Sequence, residues 1–299
     1  YVPNQVQRAR HLEWDHMINI NADGFRNDKN LNNITEHTIL VLGDSFAEGY
    51  GVSLESAFPK QLEEILRSTG SDTHVYNAGH SGAGLPSYQR VYREIFQNED
   101  RIARVIISFF IGNDVLNTPK PPDGRLREGN VFGDGFTYKL KVFLGSHVAT
   151  YAVINQIIKT NPALDAVCKK LGACDQPPPL SIYDARLVET AVPHTLRFLI
   201  SFVREIHTDG REVLVLIIPT KEQVDDERWR REAQEIGGTA EANRLAINHR
   251  ITKELTSANV DLVDFTDVAL DYHRQNQASL YFKYDGHWSP LGHKLAAKH

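Results

Sequence analysis

Cysteine, methionine and long apolar runs are scarce in this chain of 299 residues, which contains two cysteines and one methionine. No stretch of the sequence approaches the roughly 18 consecutive apolar residues that a membrane span requires. Cys168 and Cys174 supply too few ligands for a zinc site, and they lack the C-x-x-C spacing of a redox pair. They are therefore either two free thiols or one short disulfide loop, and a disulfide would favour an oxidising compartment.

An excess of positive charge is also absent. The chain carries 33 Lys and Arg residues against 38 Asp and Glu residues, a formal net charge of −5, and the two signs are interspersed. Nucleic-acid binding needs a basic face, so we exclude that class of function. A hydrophobic content of 41% is too high for disorder and typical of a soluble globular protein. The polar segment Tyr1–Arg10 contains no signal peptide, and we expect a processed chain from which any targeting segment has been removed.

Apolar runs of strand length alternate with stretches of helical periodicity. The runs are mostly continuous Val, Ile, Leu and Phe, the pattern of strands buried on both faces of a parallel sheet. The alternation predicts βαβ units and an α/β fold, a three-layer α/β/α sandwich with about five parallel strands. The predicted strands are Thr38–Leu42, His74–Tyr76, Arg104–Phe110, Glu212–Ile218 and Val260–Phe265. The predicted helices are Ala57–Ser68, Ser87–Phe96, Tyr183–His207 and Ala240–Ser257.

Two segments interrupt this alternation. The N-terminal extension, residues 1–36, is rich in Asn and Asp, and we expect loop and short turns there. Thr118–Ile182 separates the third predicted strand from the next long helix and contains one further predicted helix, Thr137–Ile158. A connection of this length inside a compact domain is usually a lid or a binding element. We therefore predict a single domain, 1–299, with a lid-like insertion at 118–182 that sets substrate choice.

Polar blocks follow the predicted strands, at the edge where ligands bind in open parallel sheets. We therefore expect four kinds of group to lie close together at this edge: a hydroxyl, a glycine turn, a carboxamide and an Asp/His pair. The four blocks are Gly43-Asp44-Ser45, Asn77-Ala78-Gly79-His80-Ser81-Gly82, Gly112-Asn113-Asp114 and Asp285-Gly286-His287.

These side chains are the ones that acyl transfer requires. A serine hydroxyl becomes a nucleophile when an imidazole takes its proton, and an acid orients that imidazole and stabilises its cation. Ser45, His287 and Asp285 supply the three groups. The oxyanion of the tetrahedral intermediate needs donors already aimed at it, which the N–H groups of Ser45 and Gly82 and the amide of Asn113 could provide.

The four blocks together resemble those of the SGNH (GDSL-type) hydrolases, from about Thr38 to the C-terminus. The resemblance implies a flavodoxin-like sandwich with esterase, lipase, thioesterase or carbohydrate O-acyl-esterase activity, and no metal or organic cofactor. It assigns Ser45 as nucleophile, Gly82 and Asn113 as oxyanion donors and His287 as base. The expected substrate is a small-molecule or carbohydrate ester, with a short acyl group such as O-acetyl.

The acid departs from the common family pattern, which places it three residues before the histidine, where this chain has Tyr284. Asp285 lies two residues before His287 and gives an Asp-x-His-Trp block similar to that of periplasmic polysaccharide O-acetylation proteins. An O-acyltransferase that uses Ser45 therefore stays open, as does a catalytically inactive carbohydrate-binding or assembly protein. The same similarity favours a periplasmic or secreted location over a cytoplasmic one.

Other polar residues in these blocks have structural interpretations. We expect Asp44 to support its loop, and His293 to face solvent or to begin the terminal helix. Asp114 is the alternative to Asn113 as the functional residue of its block. His80 either contacts the substrate or is a loop residue without a role in the site. A metal bound by Asp285, His287 and His293 would lack a fourth ligand. The aromatic residues that flank the blocks are divided between pocket lining and core: Tyr50, Phe109, Phe110, Tyr284 and Trp288.

Overall fold

The computed structural model describes residues 1–118, 163, 182–183, 185–236 and 244–299. The chain divides into two compact units, Tyr1–Lys120 with Ile182–His299, and Pro121–Ser181. The fold and the site belong to the first unit. Apart from Ala163, the interior of the predicted insertion, with its predicted helix and both cysteines, lies outside the described residues. The single-domain organisation and the lid stay predictions.

Strands and helices are numbered in chain order over the described residues. The strands are β1 (Val6–Arg10), β2 (Asp15–Asn19), β3 (Thr38–Leu42), β4 (Val75–Asn77), β5 (Ile102–Phe110), β6 (Glu212–Ile218) and β7 (Asp261–Asp264). The helices are α1 (Ser45–Glu48), α2 (Phe58–Ser68), α3 (Leu85–Val91), α4 (Ile111–Asn117), α5 (Ala185–Thr208), α6 (Lys221–Val224), α7 (Asp226–Ile236), α8 (Ala246–Ser257), α9 (Phe265–Asn276) and α10 (Pro290–Ala296).

A parallel sheet of five strands in the order β4-β3-β5-β6-β7 forms the centre of the described part. Its inner strands are largely buried on both faces because successive side chains alternate between two apolar layers, whereas the edge strand β7 is only partly buried. On β5, Val105 and Ile107 pack with α5 and α8 on one face. Ile106 packs on the other face, where α2, α9 and α10 contribute Phe58, Phe265 and Ala296, among others. The predicted α/β/α sandwich with five parallel strands is confirmed.

The predicted strand positions agree closely with the observed ones. Two of them, Thr38–Leu42 and Glu212–Ile218, have the predicted bounds, and the others differ by one or two residues at one or both ends. Among the predicted helices, Ala240–Ser257 is observed from Ala246, and residues 237–243 lie outside the described ranges. No helix of the described ranges combines the length and apolar character that a membrane crossing needs.

The N-terminal extension differs from the expectation of loop and short turns. Its first 19 residues contain an antiparallel hairpin, β1 and β2, in which Val6 pairs with Asn19 and Arg10 with Asp15. Residues of β1 are largely exposed, so the strand lacks the apolar alternation by which a half-buried strand is recognised. The hairpin was missed for that reason.

Candidate active site

The first polar block forms the turn between β3 and α1. Asp44 caps α1, since its Oδ1 accepts the backbone N–H of Phe46 at 2.9 Å, and Ser45 is the first residue of the helix. A Cβ on Gly43 would lie 2.7 Å from the Cβ of Ser108 on β5, so only glycine fits. The turn therefore packs tightly on the sheet and places Ser45, 9% exposed, at its carboxyl edge.

Ser45, His287 and Asp285 form one hydrogen-bonded chain, although 240 residues of sequence separate the first from the third. The Nε2 of His287 lies 2.7 Å from the Oγ of Ser45, and its Nδ1 lies 2.5 Å from Oδ1 of Asp285. The same Oδ1 accepts the backbone N–H of His287 at 2.8 Å. A spacing of two residues therefore lets one carboxylate oxygen hold both the backbone and the ring of the histidine.

Aromatic rings fix the position of the imidazole. The ring centroids of Phe46 and Tyr50 lie 5.1 Å and 4.5 Å from that of His287. The next residue, Trp288, is fully buried and packs edge-on against Phe46 and Phe58. The histidine loop is thus anchored in the core by the tryptophan while His287 stays at the surface.

The charge state of Asp285 suits an orienting acid. Burial alone would raise the pKa of this carboxyl, but the hydrogen bond from His287 and the charge of its ring outweigh that effect and lower the pKa. The carboxylate is therefore ionised at neutral pH and accepts the Nδ1–H of His287. That tautomer leaves Nε2 free to accept the proton of Ser45.

Asn113 lies in the first turn of α4, directly after β5. Its Nδ2 donates a hydrogen bond of 2.8 Å to Oδ2 of Asp44, so Asp44 connects the Ser45 turn to Asn113. Burial raises the pKa of Asp44 to about 6, against the lowering effect of its bonds with the Phe46 N–H and the Asn113 amide. This position agrees with the expected supporting role of Asp44. The amide keeps a second N–H for another acceptor.

Gly82 lies in the turn that connects β4 to α3. Its φ of 78° is in the left-handed region, which glycine adopts without strain. The preceding residue, Ser81, donates its N–H to Oε2 of Glu48 at 2.6 Å, which ties the turn to helix α1. Within the described residues, neither the Gly82 N–H nor the Ser45 N–H has an acceptor. Both are donors available to a ligand.

Asp114 faces the core and not the site. Its carboxyl accepts the Phe110 N–H at 2.9 Å and the Tyr88 hydroxyl at 3.1 Å. Burial and the nearby carboxyl of Asp44 raise the pKa of Asp114 well above its usual range. It therefore ties the first turn of α4 to the end of β5, and the geometry favours Asn113 as the residue of this block that can meet a substrate.

The expectation of a solvent-facing His293 is wrong. The residue lies within α10 but is 1% exposed, because it faces the core beneath Trp288, and its Nδ1 accepts the N–H of Phe58 at 3.2 Å. His80 is exposed and stacks on Tyr1, with 4.6 Å between ring centroids. Over the described ranges, no group of three or more His, Cys, Asp or Glu is placed to hold a metal.

The flanking aromatic residues divide between core and rim. Phe109 and Trp288 are fully buried. Phe110 is partly buried and packs on Phe46 at 4.4 Å. Tyr50 is 39% exposed and its ring contacts that of His287, and Tyr284, three residues before His287, is 50% exposed.

Three polar residues that hold the site together carry no sequence motif. Glu48 holds the Gly82 turn, while Glu13 and Lys221 bind the backbone around Asp285. Glu48 lies in α1 close to Ser45, and Lys221 follows β6 at the same edge of the sheet, but Glu and Lys side chains are most often solvated and neither stands out in the sequence. Glu13 comes from a segment with no sequence sign of proximity to the site, and only a pairwise contact, invisible in a single sequence, could have found it.

Comparison with known proteins gives a family and several similar folds. The model of the GDSL-like Lipase/Acylhydrolase family matches residues 41–295. Acetyl xylan esterase AlAXEase is 14% identical, with 87% of this chain and 96% of that chain covered and a TM-score of 0.49. TesA is 15% identical, covering 87% and 94%, with a TM-score of 0.48. A lipolytic protein of the G-D-S-L family from Veillonella parvula is 11% identical, covering 87% and 94%, with a TM-score of 0.47. No curated protein sequence matches the chain.

The family match extends over most of the chain and includes the Ser45 turn, the Gly82 turn, Asn113 and the loop of Asp285 and His287. The resemblance inferred from the four polar blocks is therefore confirmed at the level of the family. The chain belongs to the GDSL-like lipase/acylhydrolase family and is a hydrolase of that type.

Proposed function

We propose that this chain hydrolyses short-chain acyl esters, with O-acetyl groups on carbohydrate as the expected substrates, through an acyl intermediate on Ser45. The observation that carries the proposal is the hydrogen-bonded chain from the Ser45 hydroxyl through His287 to the ionised carboxylate of Asp285. Such a chain is the minimal apparatus for turning a hydroxyl into a nucleophile.

In the first half-reaction, Nε2 of His287 takes the proton of Ser45 as Oγ attacks the ester carbonyl carbon. The N–H groups of Ser45 and Gly82 and the free amide N–H of Asn113 receive the oxyanion, which is stabilised because these donors need no rearrangement. Collapse of the intermediate breaks the bond to the alcohol, which takes the proton from His287. Water then repeats the sequence on the acyl-serine and releases the carboxylic acid.

The rim of the site supports a carbohydrate as the alcohol component. Tyr50, 39% exposed, contacts the ring of His287, and Tyr284, 50% exposed, belongs to the loop that carries His287. Aromatic faces with a polar edge suit the apolar faces and hydroxyl groups of sugar rings. If a sugar hydroxyl replaced water in the second half-reaction, the same residues would transfer the acyl group, as the Asp285-Gly286-His287-Trp288 block led us to consider.

Ser45→Ala tests the proposal, with Ser68→Ala on the exposed surface of α2 as its matched control. We expect the control to retain hydrolysis of p-nitrophenyl acetate and release of acetate from acetylated xylooligosaccharides, and Ser45→Ala to lose nearly all of both. A fluorophosphonate should label Ser45, as located by mass spectrometry. Labelling at another serine, with Ser45→Ala still active, would refute the mechanism. Acetylation of an added oligosaccharide in place of acetate release would identify a transferase, and no turnover or labelling would indicate a binding protein.

A further inference from the structure

The tip of the N-terminal hairpin reaches the active site, although it lies outside the residues that the family model matches. The hairpin tip consists of His11, Leu12, Glu13 and Trp14, between β1 and β2. The Trp14 ring packs on Phe282 and Tyr50, with centroid distances of 4.8 Å and 5.4 Å. Because Tyr50 itself contacts His287, the hairpin tip is connected to the catalytic base through the ring of Tyr50.

Glu13 binds the backbone that leads into the catalytic acid. Its Oε1 accepts the N–H of Lys283 at 2.5 Å, and its Oε2 accepts those of Tyr284 at 3.0 Å and Asp285 at 3.2 Å. Three consecutive N–H groups thus converge on one carboxylate. Hydrogen bonds to an ionised acceptor are roughly twice as strong as neutral ones, and the Glu13 side chain is only 13% exposed.

Lys221 binds the carbonyl groups of the same segment from the other side. It is the first residue of α6, and its Nζ donates to the carbonyl oxygens of Phe282, Lys283 at 2.9 Å and Asp285 at 3.4 Å. Between Phe282 and Asp285, Glu13 therefore accepts hydrogen bonds from the backbone N–H groups, and Lys221 donates hydrogen bonds to the backbone carbonyl groups. The segment is fixed by charges from two separate elements, in addition to its own turn.

We propose that Glu13 is a positioning residue of the active site: it fixes the backbone at Asp285 so that the carboxylate holds His287 in register with Ser45. This inference rests on the proposed function. Catalytic groups have to be held within about 0.5 Å of the productive geometry by their supporting contacts. The hairpin tip thus completes the site from outside the family-matched region.

The expected consequence is kinetic and not a loss of fold. Lys283 and Tyr284 are exposed, so water can satisfy their N–H groups when Glu13 is replaced. The loop also has an anchor that Glu13 does not provide, since Trp288 is fully buried in the core. Asp285, however, would no longer have one fixed position, and a displacement of about 1 Å in a catalytic group can cost about 100-fold in rate.

Glu13→Gln and Glu13→Ala test the inference, and Asp15→Asn on the same hairpin is the matched control. Asp15 forms its ion pairs with Arg8 and Arg10 on the neighbouring strand of the hairpin. We expect both Glu13 variants to lose about 10- to 100-fold in kcat for p-nitrophenyl acetate, with KM and Tm near the wild-type values. Asp15→Asn should retain the wild-type kcat. Glu13→Gln should change kcat in the same direction as Glu13→Ala, because its carbonyl oxygen can accept from only part of the three N–H groups while its NH2 group would face the others.

The pH profile adds a readout that a purely structural role would not change. The Glu13 carboxylate lies 4.0 Å from His11 on the tip, and Lys221 and Arg228 bind the loop from its other side. Replacement of Glu13 removes a negative charge from the contacts of the Lys283–Asp285 backbone, directly before the catalytic histidine. The acidic limb of kcat/KM should therefore move to lower pH in both Glu13 variants and stay in place in Asp15→Asn.

A double-mutant comparison identifies the route of the effect. If Glu13 acts through Asp285, Glu13→Gln should cost much less rate when Asp285 is already replaced by Asn. Amide hydrogen exchange over residues 282–288 should accelerate in the Glu13 variants whether or not esters are turned over. Wild-type protein without turnover dependent on Ser45 would refute the proposed function. Unchanged kcat and unchanged exchange in Glu13→Gln, or an equal loss in the Asp285→Asn background, would overturn the inference.

Discussion

Protonation of His293 should destabilise the fold as the pH falls below neutrality. The ring lies on the buried face of α10, where its Nδ1 accepts the N–H of Phe58. Burial lowers the pKa of His293 from 6.5 to about 3, and the positive charges of His287 and Arg26 act in the same direction. Protonation would remove the acceptor and bury an unpaired cation.

The magnitude follows from the difference between the two pKa values. In the unfolded chain the imidazole takes up a proton near pH 6.5, whereas in the folded chain it does so near pH 3. Between those limits the unfolded state binds one proton more, so the free energy of unfolding falls by about 1.4 kcal/mol for each pH unit. The full interval corresponds to a loss of about 5 kcal/mol, a large part of the about 5–15 kcal/mol that stabilises a domain.

Urea unfolding of the wild type and of His293→Gln between pH 7 and pH 4.5 measures this term. Glutamine keeps an acceptor for the Phe58 N–H but does not titrate. The free energy of unfolding of His293→Gln at pH 7 can therefore differ from that of the wild type, but it should fall less steeply as the pH is lowered. His249→Gln is the matched control, since His249 is exposed on α8, and it should keep the wild-type slope. Equal slopes for the wild type and His293→Gln would refute the reasoning, because they would show that the buried ring is not held neutral.

Two further results are expected. In steady-state kinetics, Asn113→Ala should lower kcat by about 10²–10³ while KM changes less, since the donor acts once the oxyanion has formed. A change in KM alone would assign Asn113 to substrate binding. Glu63 is buried, which would raise its pKa, but Lys60 and the Val75 N–H lower it to about 2. Its carboxylate should therefore contribute about 3 kcal/mol above pH 4.5 and lose this as the pH falls towards 2. Urea unfolding should show Glu63→Gln approaching wild-type stability over that interval, and a constant difference would contradict the assignment.

The strands of the sheet could be predicted because burial on both faces constrains the residues of each strand directly. A strand buried on both faces, such as Thr38–Leu42, must be apolar at every position, and all five of its residues are buried. The exposed strand Val6–Arg10 has no such requirement, since it pairs only with its neighbour in the hairpin and packs little. Its sequence could equally have been a loop, and only the pairing itself distinguishes the two.

The site was predictable to a similar extent and for a related reason. Ser45, Gly82 and Asn113 follow strands whose carboxyl ends must share one edge, so a correct sheet brings their blocks together without further information. His293 was misplaced because a polar residue in a short terminal helix is most often solvated. Its burial depends on how α10 packs against Phe58, which no local pattern records.

Glu13 and Lys221 mark the limit of this reasoning. Glu13 follows no strand of the sheet, whereas Lys221 comes shortly after β6. Both act on backbone atoms, whose hydrogen-bonding capacity is the same in every sequence. A motif can record Asp285 and His287 because their side chains are specific, but it cannot record which carboxylate holds the peptide groups before them. The serine side of the site is supported by buried residues close to the motifs, such as Asp44. On the acid–base side, one of the supporting carboxylates, Glu13, comes from a hairpin outside the family-matched residues, so the motifs that define the family cannot record this support.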